Sequence, residues 1–341
     1  MPWRRIMKQM KSDLKALEPV DTFFLLNSAD LRNAKNQKLF LAVTLADKSG
    51  QISGYVWANH EEVSASLNGV TYVHVKGTAK AYNGVLNLQI DSIRPVAEEE
   101  VDVSDFLHVV PGGIDLWLQR MYDRIGLVRD SHCKTLIYSF LSDPQFFEAF
   151  KQSPAGMTLH HNYTGGLLEH SVNTMSHAIH MAEHYPGILD RDLLITGSLL
   201  HDIGKVREMT GGITRSYTTE GKLMGHISIG LIMLEEKLNR MKELPAETGL
   251  LLKHMILAHH GSLEFGSPVK PSTPEALALH HIENTDAKMN HIYGIFKDSD
   301  PEKTWSSYDR HFGGEMYQRK PAKDAVNQVR EKACMRLVHG L

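Results

Sequence analysis

The chain has 341 residues, 42% of them hydrophobic, and a formal net charge of −3. That length allows two domains with separate cores, and the charge excludes a globally basic surface, so any nucleic-acid site must be a local patch. The two cysteines, Cys133 and Cys334, are far apart and in no metal-ligand spacing, which excludes a disulfide framework and a cysteine zinc site and suits a reducing cytoplasm.

In chain order, MPWRRIMKQMKSDLK reads as a short basic amphipathic helix. No apolar run after it is long enough for a signal peptide or a bilayer span, so no membrane partner is expected. A strand is expected near Phe23 to Leu31. Leu39, Leu41, Val43 and Leu45 then alternate with Phe40, Ala42 and Thr44, a period of two. The turn Asp47-Lys48-Ser49-Gly50 leads into QISGYVW, which makes a hairpin. A short helix, NHEEVSASL, follows. GVTYVHVKGTAKAY and GVLNLQIDSI give two more strands across Asn83-Gly84, a strong hairpin signal. Five strands with one helix after the third point to a small Greek-key barrel of the OB type over residues 15–98.

The Glu-rich EEEVDVSDF is expected as a linker, and the pattern then turns helical. IDLWLQRMYDRIG and KTLIYSFLSDPQFFEAF carry apolar residues at spacings of three and four. Together these make a linker with leading helices over 99–155. An all-α region over 156–300 follows, and then a polar tail, 301–341, with interspersed aromatics, expected to pack on it. A last helix, AKDAVNQVREKACMRLV, closes the chain. The expected fold is therefore multidomain: an all-β barrel followed by an all-α helical bundle.

Histidine is the outlier, with 20 in the chain. Polar side chains interrupt apolar helix at His170 in GGLLEHSV, at His201 and Asp202 in LLHDIGK, at His226 in MGHISIG, at His259 and His260 in ILAHHGSLEFG, and at Asp286 in IENTDAKM. Two polar groups ending an apolar helix are costly unless something satisfies them. One such histidine is ordinarily a core or capping residue. Five segments that each deliver imidazole or carboxylate point to a metal site. Mixed nitrogen and carboxylate donors suit Mn, Fe, Zn, Co or Ni rather than Ca.

His170, His201-Asp202 and Asp286 match the ligand pattern of the HD-domain superfamily of metal-dependent phosphohydrolases. The longer stretches HHNYTGGLLEHS, GSLLHDIGK, GKLMGHISIG and ILAHHGSLEFGSP resemble the YhaM family of 3′→5′ exoribonucleases, which also carry an OB-type domain ahead of the HD domain. The resemblance covers roughly residues 20–295. It implies a centre of two divalent ions bridged by Asp202. His170, His201 and Asp286 would complete one ion, His226 and His259 the other, and His260 would be a ligand or a substrate contact. Manganese is favoured through the family; Fe, Co and Zn suit the same donors. A metal-bound hydroxide would attack the terminal phosphodiester of single-stranded RNA, with single-stranded DNA as a further candidate, and release nucleoside 5′-monophosphates.

Lys205 has two readings: a cation facing the phosphate, or a charge at a helix C-terminus. Gly165-Gly166 is expected to turn tightly before the His170 helix. His160, His161 and Tyr163 either line the entrance or are structural, and Glu264 and Phe265 are expected at the rim. On the barrel, Tyr55 and Trp57 share one face, Phe40 lies opposite Leu39 and Leu41, and Tyr82 sits by the turn. With Lys35, Lys38, Lys48, Lys76 and Lys80 they suit stacking of single-stranded bases in a locally basic groove; the alternative is core aromatics and solvated lysines.

Three other readings compete. A phosphohydrolase of small or cyclic nucleotides leaves the barrel unexplained. A di-iron oxygenase and a non-catalytic binding protein with structural metals complete the set. The apolar helices and aromatic tail leave a homo-oligomer open.

Overall fold

The computed structural model describes residues 8–34, 37–82, 85–106, 109–157, 161–210, 215–299 and 303–319. Alternating apolar residues build β1 (Pro19–Asn33), β2 (Leu39–Asp47), β3 (Gly50–Val56), β4 (Tyr72–Tyr82) and β5 (Val85–Val96), with helix α1 (His60–Ser66) between β3 and β4. The strands close into a barrel in the order β1-β2-β3-β5-β4. Closure needs β1 to pair with both β2 and β4, and β3 to run parallel to β5. This is the expected OB-type barrel. Phe24, Leu41, Val43, Leu45, Ile52, Val56, Val73, Val75, Leu88 and Ile90 fill it. Each fully buried Leu, Ile or Phe contributes about 1.5–3 kcal/mol relative to exposure.

Residues 8–15 depart from the expected amino-terminal helix. Residues 1–7 lie outside the described residues, and the rest holds only a 3₁₀ turn, Lys11–Asp13. Lys11 N donates to Asp47 Oδ2 at 2.6 Å and Ser12 N donates to Ser49 Oγ at 2.9 Å. The amide groups a helix would use internally are committed to the β2–β3 turn. The Asn83-Gly84 turn, Lys35, His160 and the proposed last helix also lie outside the described residues.

Beyond two 3₁₀ turns in the Glu-rich stretch, the chain is helical: α2 (Ile114–Gly126), α3 (Ser131–Leu141), α4 (Pro144–Gln152), α5 (Gly166–His184), α6 (Arg191–Leu200), α7 (Lys205–Glu208), α8 (Thr219–Leu238), α9 (Ala246–Ala258) and α10 (Pro274–Asp298). The stretch KTLIYSFLSDPQFFEAF divides into α3 and α4. Asp143 caps the second helix through Phe146 N, and Pro144 takes its first position, where a missing N–H costs nothing. Leu167, Leu168, Val172, Met175, Leu194, Ile195, Leu199, Leu252, Met255 and Ile256 form the helical core. Among the described residues no helix is long and apolar enough to cross a membrane.

The chain divides into two compact units at Glu283–Asn284, within α10. The second holds the end of α10 and a short ordered loop. In that loop Trp305 bridges Tyr317 and Asp309 bridges Gly314, and His291 Nε2 on α10 lies 3.0 Å from Asp309 Oδ2.

Candidate active site

The helical core aims its polar interruptions at one carboxylate. His170 is fully buried on α5. His201 is the C-cap of α6, and Asp202 follows it in the turn before α7. His259 is the C-cap of α9. His226 follows Gly225, where α8 breaks at φ 69°. The turn after Asp202 is packed too closely to admit a side chain: a Cβ on Gly204 would lie 2.0 Å from His226 O. At the head of α5, Gly165 has φ +81°, and a Cβ on Gly166 would meet His161 O at 1.9 Å, so the expected tight turn is present.

Four imidazoles flank Asp202 in two pairs. His201 Nε2 lies 3.3 Å and His170 Nε2 3.6 Å from Oδ2. His226 Nε2 lies 3.4 Å and His259 Nε2 3.5 Å from Oδ1. The His170 and His201 Nε2 atoms are 3.1 Å apart. His260 joins the second pair: its potential donor atom and those of His226 and His259 lie within 4.8 Å of one another.

The other ring nitrogens are anchored. His201 Nδ1 lies 2.8 Å from Ser198 O, His259 Nδ1 2.7 Å from Ile256 O, and His260 Nδ1 2.8 Å from Phe265 O. A carbonyl only accepts, so these protons sit on Nδ1 and the Nε2 lone pairs are left for the centre. Asp202 Oδ1, His226 Nε2 and His259 Nε2 are buried and make no hydrogen bond. Facing lone pairs around a buried carboxylate are unfavourable unless a cation lies among them. The donor set, imidazole nitrogen with carboxylate oxygen, fits a borderline divalent transition metal. Two helix C-termini aimed at the site add partial negative charge, which favours the same occupant.

The electrostatics favour an ionised carboxylate and neutral rings on its Oδ1 side. Burial pushes the Asp202 carboxyl up, but the Lys205 ammonium and His201 outweigh it and hold it well below the usual carboxylate range. Burial lowers His201, yet the adjacent Asp202 carries it above the ordinary imidazole value. Burial drives His259 well below that value, and burial with the nearby His226 takes His260 to about 4. The last two rings are thus neutral donors at neutral pH.

Lys205 Nζ is 2.6 Å from Asp202 Oδ2, and both side chains are buried. The alternative reading of Lys205 as a C-terminal helix charge falls away, because α6 ends at Leu200 and Lys205 opens α7. Asp286 is buried on α10, in the second unit. His161 does not line an entrance: it is 1% exposed, and its Nδ1 lies 3.2 Å from Glu169 Oε2, which also accepts from Tyr163 Oη. Glu264 and Phe265 lie exposed in a 3₁₀ turn after His260.

Glu208 escapes sequence reasoning. It is buried, and its Oε1 accepts from His226 N at 3.0 Å and lies 3.2 Å from His226 Nδ1. Burial raises its carboxyl, but His226 outweighs that and the net shift is downward. The only hint in the sequence is its place one turn after Lys205.

On the barrel, Phe40 stacks on Trp57 with ring centroids 4.8 Å apart and meets Tyr55 edge-on at 5.6 Å. The three stand outside the barrel core, and Trp57 is 40% exposed. Lys38 Nζ lies 5.9 Å from the Trp57 ring centroid. Lys48 and Lys76 are paired with Asp105 and Asp21. Tyr82 is the last residue of β4, opposite Val85.

Family models agree with this division. An HD domain model matches residues 167–288, and an OB-fold nucleic acid binding domain model matches residues 28–96. The 3′-5′ exoribonuclease YhaM of Shouchella clausii is 37% identical over 311 residues, covering 89% of this chain and 96% of that protein. The protein of the same name from Halalkalibacterium halodurans is 39% identical over 274 residues, covering 80% of this chain and 84% of that protein. Among solved structures, the second OB-fold domain of replication protein A from Methanococcus maripaludis matches 27% of this chain and 97% of that chain, at 18% identity and a TM-score of 0.22.

Proposed function

The chain belongs to the YhaM family of 3′→5′ exoribonucleases, and from that premise we propose that it shortens single-stranded RNA from the 3′ end at a two-metal centre bridged by Asp202. The observation that carries this is the pairing of imidazoles: two Nε2 atoms face one oxygen of Asp202 and two face the other. A carboxylate so divided can bridge two cations. His170 and His201 serve one side, with Asp286 as its further ligand. His226 and His259 serve the other, with His260 beside them. Manganese is the proposed ion.

Divalent cations held by these residues would supply Lewis acidity for activating water and for offsetting charge on a phosphodiester. The residues do the rest. Lys205 keeps Asp202 ionised and adds positive charge beside the scissile phosphate. The anchored Nδ1 protons hold the ligand rings so that little reorganisation is needed when substrate arrives. Hydrolysis with departure of the penultimate 3′-hydroxyl leaves a nucleoside 5′-monophosphate. The barrel aromatics Phe40, Tyr55 and Trp57 hold the upstream strand by stacking. Stacking takes no account of the 2′-hydroxyl, so single-stranded DNA is a second candidate substrate.

The test is metal-stripped full-length protein with RNA labelled at its 5′ end, given Mn²⁺, and Asp202→Ala as control. A ladder shortening from the 3′ end, absent in the variant, is expected. Strand binding without cleavage under any divalent metal would overturn the reading and turn attention to small or cyclic nucleotides.

A further inference from the structure

Of the three donor histidines whose Nδ1 contact is defined on the Asp202 Oδ1 side, two are anchored by backbone carbonyls. His226 is different: its Nδ1 faces the buried carboxylate of Glu208, 3.2 Å away. The same oxygen, Oε1, accepts from His226 N at 3.0 Å. That amide is free for it because α8 breaks at Gly225, so His226 N has left the helical ladder. One carboxylate oxygen therefore fixes both the backbone and the ring of a single residue. Its helix, α7, is one turn long and begins with Lys205, which contacts the Oδ2 of Asp202.

We propose that Glu208 is a positioning residue for the metal on the Asp202 Oδ1 side: it orients His226 and raises the donor strength of its Nε2, without itself contacting metal or substrate. The inference rests on the two-metal reading above. A carboxylate accepting from Nδ1–H gives the ring partial imidazolate character, which a neutral carbonyl does less well. The arrangement makes the two ion positions unequal in kind. The Oδ2 side draws on Lys205, a cation that competes with a metal for the carboxylate. The Oδ1 side draws on Glu208, an anion that strengthens a ligand. Burial adds weight, since a carboxylate–imidazole contact is screened little when water is excluded.

The test compares full-length wild type with Glu208→Gln, which keeps an oxygen for His226 N but loses the charge. Mn²⁺ binding to metal-stripped protein is followed by calorimetry, and Co²⁺ binding by its visible absorption. Wild type is expected to take two ions in two steps. In Glu208→Gln one step should be unchanged and the other weaker by about 10–100-fold, with an altered Co²⁺ spectrum for that step alone. Wild-type binding in both steps by the variant would overturn the inference and leave the two-metal reading standing. Equal weakening of both steps, with loss of helical circular dichroism, would make Glu208 merely structural and also overturn it. A wild-type chain that takes fewer than two ions would overturn both readings together.

Discussion

Lys205 Nζ and Asp202 Oδ2 are 2.6 Å apart with both side chains buried, so the carboxylate at the centre carries its own counter-ion before any metal arrives. Removing one member of a buried pair strands the other. Lys205→Met should destabilise the metal-stripped protein by about 3–5 kcal/mol, the usual cost of an uncompensated buried charge. Mn²⁺ should recover much of that loss by supplying the missing positive charge. Chemical unfolding with and without the ion measures both effects.

The depressed histidines give metal-stripped protein a pH dependence of definite sign. His260 titrates at about 4 in the fold, against roughly 6.5 in an unfolded chain. Between those values the unfolded chain binds the proton and the folded one does not, so stability falls as pH drops from 6.5 towards 4. His259 shifts the same way. Asp202, held below its ordinary value, adds loss only at lower pH. Unfolding midpoints should fall from pH 5.5 to pH 4.5; His201, raised above its ordinary value, contributes the opposite slope only above about pH 6.5, and a flat profile below that would show these rings are not buried as neutral donors.

Gly204→Ala tests the close approach of the turn after Asp202 to His226. A Cβ there would lie 2.0 Å from His226 O, a backbone atom that cannot step aside. Overpacking typically costs about 1–3 kcal/mol, and more where backbone must shift. Movement of His226 should also weaken Mn²⁺ binding. Gly126→Ala, at the end of α2 with nothing within 4 Å of the added Cβ, should be neutral or slightly stabilising. Thermal unfolding and a Mn²⁺ titration on the two variants separate the effects.

The barrel aromatics should carry affinity without carrying stability. Phe40 and Trp57 stack on each other outside the barrel core, so alanine at either leaves that core intact. Loss of a base–aromatic contact should weaken single-stranded RNA binding by about 1–3 kcal/mol. Hydrolysis of a dinucleotide, whose one phosphodiester must itself occupy the cleavage site, should be little changed. Fluorescence anisotropy and dinucleotide turnover check the two halves.

How much was legible beforehand follows from the range of each interaction. Alternation from Leu39 to Leu45 and in QISGYVW is local, and it placed β2 and β3 and the faces of Tyr55 and Trp57. Alternation names two faces without saying which is core; the Phe40–Trp57 stack and the parallel β3–β5 pairing decide that. His170, His201, Asp202, His226 and His259 stood out as polar residues in apolar helix, and the resemblance to known motifs grouped them. Glu208 did not stand out, because its importance depends on the Gly225 break that frees His226 N. The break between α3 and α4 was signalled by Asp143-Pro144, but the apolar spacing on either side masks it. Residues 8–15 are held out of a helix by Asp47 and Ser49, more than thirty residues away.

His201 and His259 each end a helix, and each donates Nδ1 to the carbonyl three residues earlier. Capping and ligand orientation are therefore the same bond, formed as soon as the helix forms. A pocket finished in this way does not wait for its ion in order to take shape.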